Sequence, residues 1–166
     1  MGITLARVDW LDPRACSLRA SLDTEMNAIY AGSFTDYPPA VKNLLIAAFA
    51  VDPSTVVATV LVIDAGSGIP VGHAGLRPYG VGGVLEVKKV VVDANYRGRG
   101  ISRTLMVELE HVARELGAPS LVLQTGDRQP AAIGLYESVG YRLIAPFAPF
   151  ALMSNALCYE KILTPA

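Results

Sequence analysis

The sequence contains few of the residues that form metal sites and disulfide frameworks. Its 166 residues include two cysteines, Cys16 and Cys158, and two histidines. The cysteines lie near opposite ends of the chain, and neither belongs to a Cys/His spacing typical of a zinc site. We therefore expect no metal, and we expect both cysteines to be small buried hydrophobic residues.

An excess of charge of either sign is also missing. Fourteen Lys and Arg residues against fifteen Asp and Glu residues give a net charge of −1. A chain-wide cationic field that would attract nucleic acid is therefore absent, and any site for a polyanion has to be a local cluster. Hydrophobic residues make up 52% of the chain and charged residues 17%, which excludes intrinsic disorder.

The sequence has no hydrophobic run long enough to cross a bilayer as one helix. The longest apolar stretch, residues 44–63, is interrupted by Asp52, Pro53 and Ser54. The first ten residues lack the basic and apolar regions of a signal peptide. We expect a cytoplasmic protein with no membrane or nucleic-acid partner, and the length favours one domain over residues 1–166.

Hydrophobic patterning predicts both strands and helices. Runs of β-branched residues indicate strands, and apolar residues spaced by three and four indicate helices. Strands are predicted at residues 3–8, 55–63, 71–76, 84–92, 120–125, 141–144 and 157–163, and helices at 13–31, 41–50, 101–116 and 130–139. Short turns favour antiparallel early strands, whereas the strand–loop–helix–strand unit over residues 84–125 favours a parallel pair. The expected fold is α/β (α+β), with a mixed, partly antiparallel sheet of six or seven strands flanked by about four helices.

The loop after the strand at 84–92 is the most informative segment. Gly98 and Gly100 allow a positive φ and the close approach of a ligand. The helix that follows offers unpaired N–H groups at its positive end, and Arg97, Arg99 and Arg103 add charge there. A diphosphate fits all three features, although the spacing matches neither a P-loop nor a dinucleotide-binding fingerprint. The structural alternative is a glycine-rich turn with solvated arginines.

Two motifs in the second half of the chain resemble the GNAT superfamily of acetyl-CoA-dependent N-acetyltransferases. Arg97-x-x-Gly100-x-Ser102 resembles motif A, written R/Q-x-x-G-x-G/A. Residues 129–141, with the sequence QPAAIGLYESVGY, resemble motif B, N-x-x-A-x-x-L-Y-x-x-x-G-F. One helix and one strand separate the two motifs. The resemblance covers residues 84–145, and the order of strands and helices extends it to the rest of the chain.

The resemblance implies a GNAT-like domain that uses acetyl-CoA as its co-substrate. The strand at 90–92 would pair with the pantetheine amides, and the backbone N–H groups of residues 98–103 would bind the diphosphate. The implied cofactor-binding residues are Val90, Val91, Val92, Arg97, Gly98, Arg99, Gly100, Ile101, Ser102, Arg103, Gln129 and Ala132. Two of them depart from the family pattern: Ser102 replaces a Gly or Ala, and Gln129 replaces an Asn that contacts the pantetheine arm.

The resemblance also implies two catalytic roles. Tyr136 occupies the position from which family members protonate the leaving thiolate, and an aromatic packing role is the alternative. A general base should accept a proton from the amine, but Gln124 stands where many members have glutamate. Glu86 is therefore the candidate base. By period-2 alternation it should share a strand face with Lys88, Val90 and Val92, and an ion pair without proton transfer is an equal alternative.

The remaining candidates concern the acceptor side. His111 is predicted on a helix surface, and His73 could face the acceptor from a strand. Tyr30, Phe34 and Tyr37 and the loop at 147–155 could line an apolar pocket, although we favour a core position for most of them.

The sequence predicts transfer of an acetyl group to a primary amine of a small molecule, directly within a ternary complex. Neither cysteine lies near the motifs, which disfavours a covalent enzyme intermediate. Two alternatives stay open: a non-catalytic acyl-CoA sensor or scaffold, which Gln124 and Gln129 favour, and a protein or peptide N-acetyltransferase. A homodimer is also left open.

Overall fold

The computed structural model describes residues 2–164, which form a seven-stranded sheet covered by four α-helices. The strands are β1 (Ile3–Arg7), β2 (Ala58–Asp64), β3 (Pro70–Pro78), β4 (Leu85–Val92), β5 (Ser120–Gly126), β6 (Arg142–Ile144) and β7 (Ala156–Ile162). The helices are α1 (Pro13–Ile29), α2 (Pro39–Phe49), α3 (Ile101–Glu115) and α4 (Pro130–Ser138). No helix within residues 2–164 is both long and apolar enough to cross a membrane.

The strand order confirms the predicted mixed sheet. The order is β1-β2-β3-β4-β5-β7-β6. Strands β1 to β4 form an antiparallel meander, and β4 pairs with β5 in parallel through the crossover helix α3. Strand β7 lies between β5 and β6 and is antiparallel to both.

The predicted elements are all present, with ends displaced by up to three residues. The largest displacement is at β2, which begins at Ala58 because Pro53–Thr55 form a 3₁₀ turn. The Asp52 side chain caps that turn by accepting a hydrogen bond from the Ser54 N–H at 2.9 Å. The capped turn occupies the first residues of the predicted strand, so the strand begins three residues later than predicted.

The two faces of the sheet carry different helices. One face packs against α3 and α4 around Leu105, Leu109, Leu121 and Tyr159. The other face packs against α1 through Leu18, Leu61 and Val91, and near α2 through Leu45, Phe150 and Cys158. Helix α3 lies very close to β3 at Gly72, which has no side chain. A Cβ added there would be only 2.9 Å from Ile101 Cγ2.

Strand β4 contains a bulge. Lys89 has a φ of 55°, and the pairing of β4 with β3 shifts register between His73 and Gly75. A bulge inserts one extra residue into a strand and so inverts the alternation of side chains beyond it.

The bulge corrects one of the sequence-based expectations. Before it, the Lys88 ammonium and its partner Glu86 lie on the α2 side of the sheet, where Lys88 contacts the Ala48 carbonyl. After it, Val90 and Val92 pack on the α3 side. The expectation that Glu86 shares a face with Val90 and Val92 is therefore wrong.

Strands β4 and β5 separate soon after they meet. They pair only at Leu85 with Leu121 and at Glu86 with Val122. Beyond these pairs β4 continues to Val92, whereas β5 stays bonded to β7 along its length. The separation leaves a gap in the sheet. One edge of that gap is the backbone of β4 after the bulge.

Candidate active site

Two cavities open beside the gap between β4 and β5. The loop cavity, of about 580 Å³, lies between the end of β4, the loop before α3, and α4. The α2 cavity, of about 720 Å³, lies between α1, α2, β4 and β5. Five residues line both cavities and mark their junction: Leu22, Met26, Val90, Gln129 and Tyr136.

The floor of the loop cavity is built for an anion. Gly98 and Gly100 have φ values of 75° and 79°, and no neighbouring atom lies within 4 Å of a Cβ added at either. Gly100 is the N-cap of α3, and no side chain caps the helix there. The first bond of the helix is made by Thr104 N–H to the Gly100 carbonyl, so the N–H groups of residues 101–103 remain for a ligand.

The three arginines of this loop have different surroundings. Arg97 forms an ion pair with Glu25 of α1, at 2.6 Å, and donates to the Val92 carbonyl. Arg103 is exposed and lines the loop cavity. Arg99 stacks on the Tyr96 ring, 5.0 Å from its centre, and is absent from the cavity wall. The sequence pattern predicted the same role for all three arginines. In the structure Arg97 and Arg103 line the loop cavity and Arg99 does not.

The other residues expected to bind the cofactor all line the loop cavity. They are Val90, Val91, Val92, Arg97, Gly98, Gly100, Ile101, Ser102, Arg103, Gln129 and Ala132. Gln129 is the N-cap of α4, but its side chain makes no capping hydrogen bond. Its amide therefore remains available where the two cavities meet.

Tyr136 lies at this junction on α4. Its side chain is 7% exposed and packs between the rings of Tyr141 and Tyr159, with centroids 6.1 and 6.2 Å away. Burial raises the pKa of its phenol well above the ordinary value. Tyr136 therefore stays protonated at neutral pH and holds a proton beside both cavities.

Glu86 lies behind the α2 cavity rather than in its wall. Its carboxylate is 1% exposed and accepts from Arg77 Nε at 2.7 Å and from Lys88 Nζ at 3.2 Å. The same two cations also donate to the Ala48 carbonyl of α2. Lys88 lines the cavity and Glu86 does not. This arrangement favours the ion-pair alternative over the role of general base.

His73 is fully buried and faces α1 instead of the acceptor. Its Nδ1–H donates to the Lys89 carbonyl at 2.8 Å, and its Nε2 accepts from Arg19 Nη1 at 3.1 Å. Burial, together with the nearby charge of Arg19, lowers the pKa of His73 to about 4. His111 is exposed and pairs with Glu115, as expected.

The acceptor side combines expected and unexpected residues. Tyr30 and Phe34 line the α2 cavity, as do residues 153 and 155 of the predicted loop, whereas Tyr37 does not. Phe147 and Phe150 belong to the core beside α2. Sequence reasoning missed Asn27, Lys42 and Lys89. A lysine within the mostly apolar stretch at 41–50 was the available signal for Lys42.

Within residues 2–164, no group of three His, Cys, Asp or Glu side chains could hold a metal ion. Cys16 and Cys158 are free thiols, and neither lines either cavity.

Solved structures share this architecture. A Klebsiella pneumoniae protein assigned as an acyl-CoA N-acyltransferase matches with a TM-score of 0.77 and 26% identity over 98% of both chains. A GNAT-family acetyltransferase from Elizabethkingia anophelis, solved with acetyl-CoA bound, matches with a TM-score of 0.68 and 16% identity over 97% of this chain and 98% of its own. The fold of this chain is therefore shared with acyl-CoA-dependent acyltransferases.

Sequence comparison identifies the family within that class. Residues 19–141 match the model of the acetyltransferase (GNAT) family, and the chain belongs to this family. It is 36% identical over 95 residues to an IAA acetyltransferase of Azospirillum brasilense, covering 57% of this chain and 62% of the relative. It is 30% identical over 101 residues to N-acetyltransferase 8B of Rattus norvegicus, covering 54% and 46%. The matches thus span about half of these curated relatives.

Proposed function

We propose that this protein is an acetyl-CoA-dependent N-acetyltransferase that acetylates a primary amine of a small molecule. The observation that carries the proposal is the junction of two cavities at Val90 and Tyr136. One cavity has an anion-binding loop and the other has none, so the two suit different substrates. A shared wall allows both substrates to be bound together, which supports direct transfer in a ternary complex.

The residues of the loop cavity fit coenzyme A. The N–H groups of residues 101–103 and the open surface at Gly98 and Gly100 suit its diphosphate. After the bulge, β4 remains paired with β3 on one side, but its edge towards β5 has no paired strand, so that edge can pair with the peptide-like pantetheine arm. Bound acetyl-CoA would supply the acetyl group as a reactive thioester.

Tyr136 acts as the general acid in this proposal. A new bond forms between the amine nitrogen and the acetyl carbon while the bond from that carbon to sulfur breaks. The electron pair leaves with sulfur, and the Tyr136 phenol donates its proton to the thiolate. A raised pKa keeps that proton on Tyr136 until the thiolate forms.

Glu86 acts as a positioning residue rather than as the base. Both of its carboxylate oxygens are engaged by cations, and its side chain is 1% exposed. Through these contacts it fixes Lys88 against the α2 cavity. The proton of the attacking amine is then lost to solvent in the cavity.

The test has two steps. Calorimetric titration with acetyl-CoA and with CoA measures cofactor binding, and a free-thiol assay over a panel of amines and peptides measures transfer. Binding followed by thiol release with a small amine is the expected result. Binding without release on any acceptor favours the sensor, and release only with peptides favours a peptide N-acetyltransferase. Absence of binding would overturn the proposal.

A further inference from the structure

The α2 cavity has an excess of positive charge. Its wall contains three lysines, Lys42, Lys88 and Lys89, and one carboxylate, Asp23. Asp23 is paired with Lys89, with 2.6 Å between oxygen and nitrogen. Lys42 donates to the Thr35 carbonyl, which is a neutral partner. An acceptor that is simply a cationic amine has little to gain from such a wall.

The excess of positive charge is most deeply buried at Lys88. Lys88 and Arg77 share the single carboxylate of Glu86, so the three side chains together carry one net positive charge. Their side chains are 8%, 18% and 1% exposed, respectively. Burial and the nearby charge of Arg77 lower the pKa of Lys88, and Glu86 opposes both effects.

Lys88 is the member of this group that faces the cavity. Its ammonium has three N–H donors, of which Glu86 and the Ala48 carbonyl account for two. Arg77 and Glu86 are absent from the cavity wall. The ammonium also lies 5.4 Å from the centre of the Phe150 ring. Because Lys88 lines the cavity, an anion bound there would lie beside this group of charges and offset its net positive charge.

The rest of the wall is mostly apolar. Its large apolar and aromatic side chains come mainly from α1, the segment after α1, α2 and the loop before β7. They include Met26, Tyr30, Phe34, Ile46, Phe49 and Met153. A volume of about 720 Å³ accommodates a small molecule with a bulky apolar group.

We propose that the acceptor is an amino acid with an apolar side chain, and that Lys88 binds its carboxylate. This inference rests on the proposed function. Lys88 and Val90 flank the bulge of β4; Lys88 lines the α2 cavity, and Val90 lines both cavities. A carboxylate at Lys88 would therefore lie near the wall that the two cavities share, which suits an acceptor whose amine and carboxylate are close together, as they are in an amino acid.

The first experiment compares acceptors that share a side chain and differ in whether they carry a carboxylate, at a fixed concentration of the free amine. Thiol release is measured with phenylalanine and phenylalaninamide, and with leucine and 3-methylbutylamine. A charge-assisted hydrogen bond predicts a kcat/KM about 10-fold to 100-fold higher for the carboxylate member of each pair. Equal or higher kcat/KM for the members without a carboxylate would overturn the inference and leave the acetyltransferase proposal intact.

The second experiment tests Lys88 itself. In Lys88→Met the ratio of kcat/KM for phenylalanine to kcat/KM for phenylalaninamide should fall about 10-fold to 100-fold, towards one, while the affinity for acetyl-CoA changes little. Arg142→Met is the control, because it removes an exposed charge from β6 and touches neither cavity. An equal loss for both substrates in Lys88→Met would count against a carboxylate contact.

A binding measurement separates the two proposals. Phenylalanine is titrated calorimetrically into the protein saturated with CoA, with and without Lys88→Met. Lys88-dependent binding without turnover of any amine would support the carboxylate site and overturn the acetyltransferase proposal. Turnover of amines without Lys88-dependent binding of phenylalanine would do the reverse.

Discussion

At the scale of single residues, Tyr136 and Glu86 show how surroundings decide what a titratable side chain does. Both are almost completely buried. Tyr136 has aromatic neighbours and no charged partner, so burial favours its neutral, proton-bearing form. Glu86 is held between Arg77 and Lys88, so its negative charge offsets part of their positive charge.

Replacing Tyr136 with Phe should lower kcat by about 10²–10⁴-fold, because the thiolate then leaves without its proton donor. Affinity for acetyl-CoA should change little, since only the hydroxyl is removed. Steady-state kinetics and calorimetry measure the two quantities. Tyr141→Phe is the matched control: that hydroxyl is also buried, has no hydrogen-bond partner, and lines neither cavity. Unchanged kcat in Tyr136→Phe would rule out the acid role.

Replacing Glu86 with Gln should lower the free energy of unfolding by about 3–5 kcal/mol, because two buried cations lose their counter-ion. Urea unfolding measures this loss. The double variant Glu86→Gln with Lys88→Met should lose less than the sum of the single variants, because one of the stranded cations is removed as well. A stable Glu86→Gln variant whose kcat falls at least 100-fold, and whose pH–rate profile loses the dependence on an acidic group seen in the parent protein, would instead identify Glu86 as the base.

At the scale of elements, local pattern was enough to place the strands, the helices and the two motif segments. Gly98, Gly100 and the following helix start are adjacent in sequence, so their joint role could be inferred from spacing. The bulge at Lys89 could not, because a lysine with a positive φ has no local signature in an alternating strand. The wrong prediction of the sheet face on which Val90 and Val92 lie follows from the bulge at that one residue.

The α2 cavity was harder to foresee for a different reason. Its walls come from α1, α2, β4 and β5, which are far apart in the chain. Tyr30 and Phe34 could be core or cavity residues on composition alone, and only the packing of α2 decides between them. The charge around Lys88 depends on Arg77, a residue on another strand.

Gly100→Val should weaken binding of CoA strongly. A valine is strained at the φ of 79° that Gly100 adopts, and its side chain would cover the loop that we propose binds the diphosphate. Gly117→Val is a close control. It has a φ of 73°, open space around the added Cβ, and a place at the other end of α3, away from both cavities. The two variants should lose similar thermal stability, and only Gly100→Val should lose affinity in calorimetry. Equal CoA affinity in both would argue against the diphosphate site.

At the scale of the whole molecule, a buried polar network joins parts of the chain that are distant in sequence. Arg19 of α1 lies 3.8 Å from the centre of the Trp10 ring and donates to the Trp10 carbonyl. It also bonds His73 of β3, which in turn holds the carbonyl of Lys89 at the bulge of β4. The network therefore connects helix packing with the geometry of the site.

Acid should weaken the fold through His73. Its pKa is lowered from 6.5 to about 4 in the folded state, so the folded protein resists a proton that the unfolded chain accepts. Above about pH 6.5 His73 is neutral in both states and does not reduce the free energy of unfolding. As the pH falls from 6.5 towards 4, the unfolded chain takes up the proton first, and the free energy of unfolding decreases by roughly 2–3 kcal/mol. The free energy of unfolding in urea at pH 7 and 4.5 should therefore fall more in the parent protein than in His73→Gln. Equal losses in the two proteins would contradict this assignment.

The inversion of β4 at Lys89 separates two kinds of recognition along one strand. Before the bulge the strand presents a charged side chain to the α2 cavity, and after it a backbone edge to the loop cavity. Side chains change with each mutation, whereas a backbone edge does not. A substitution at Lys88 can therefore alter what the α2 cavity recognises and leave the β4 edge beside the loop cavity unchanged.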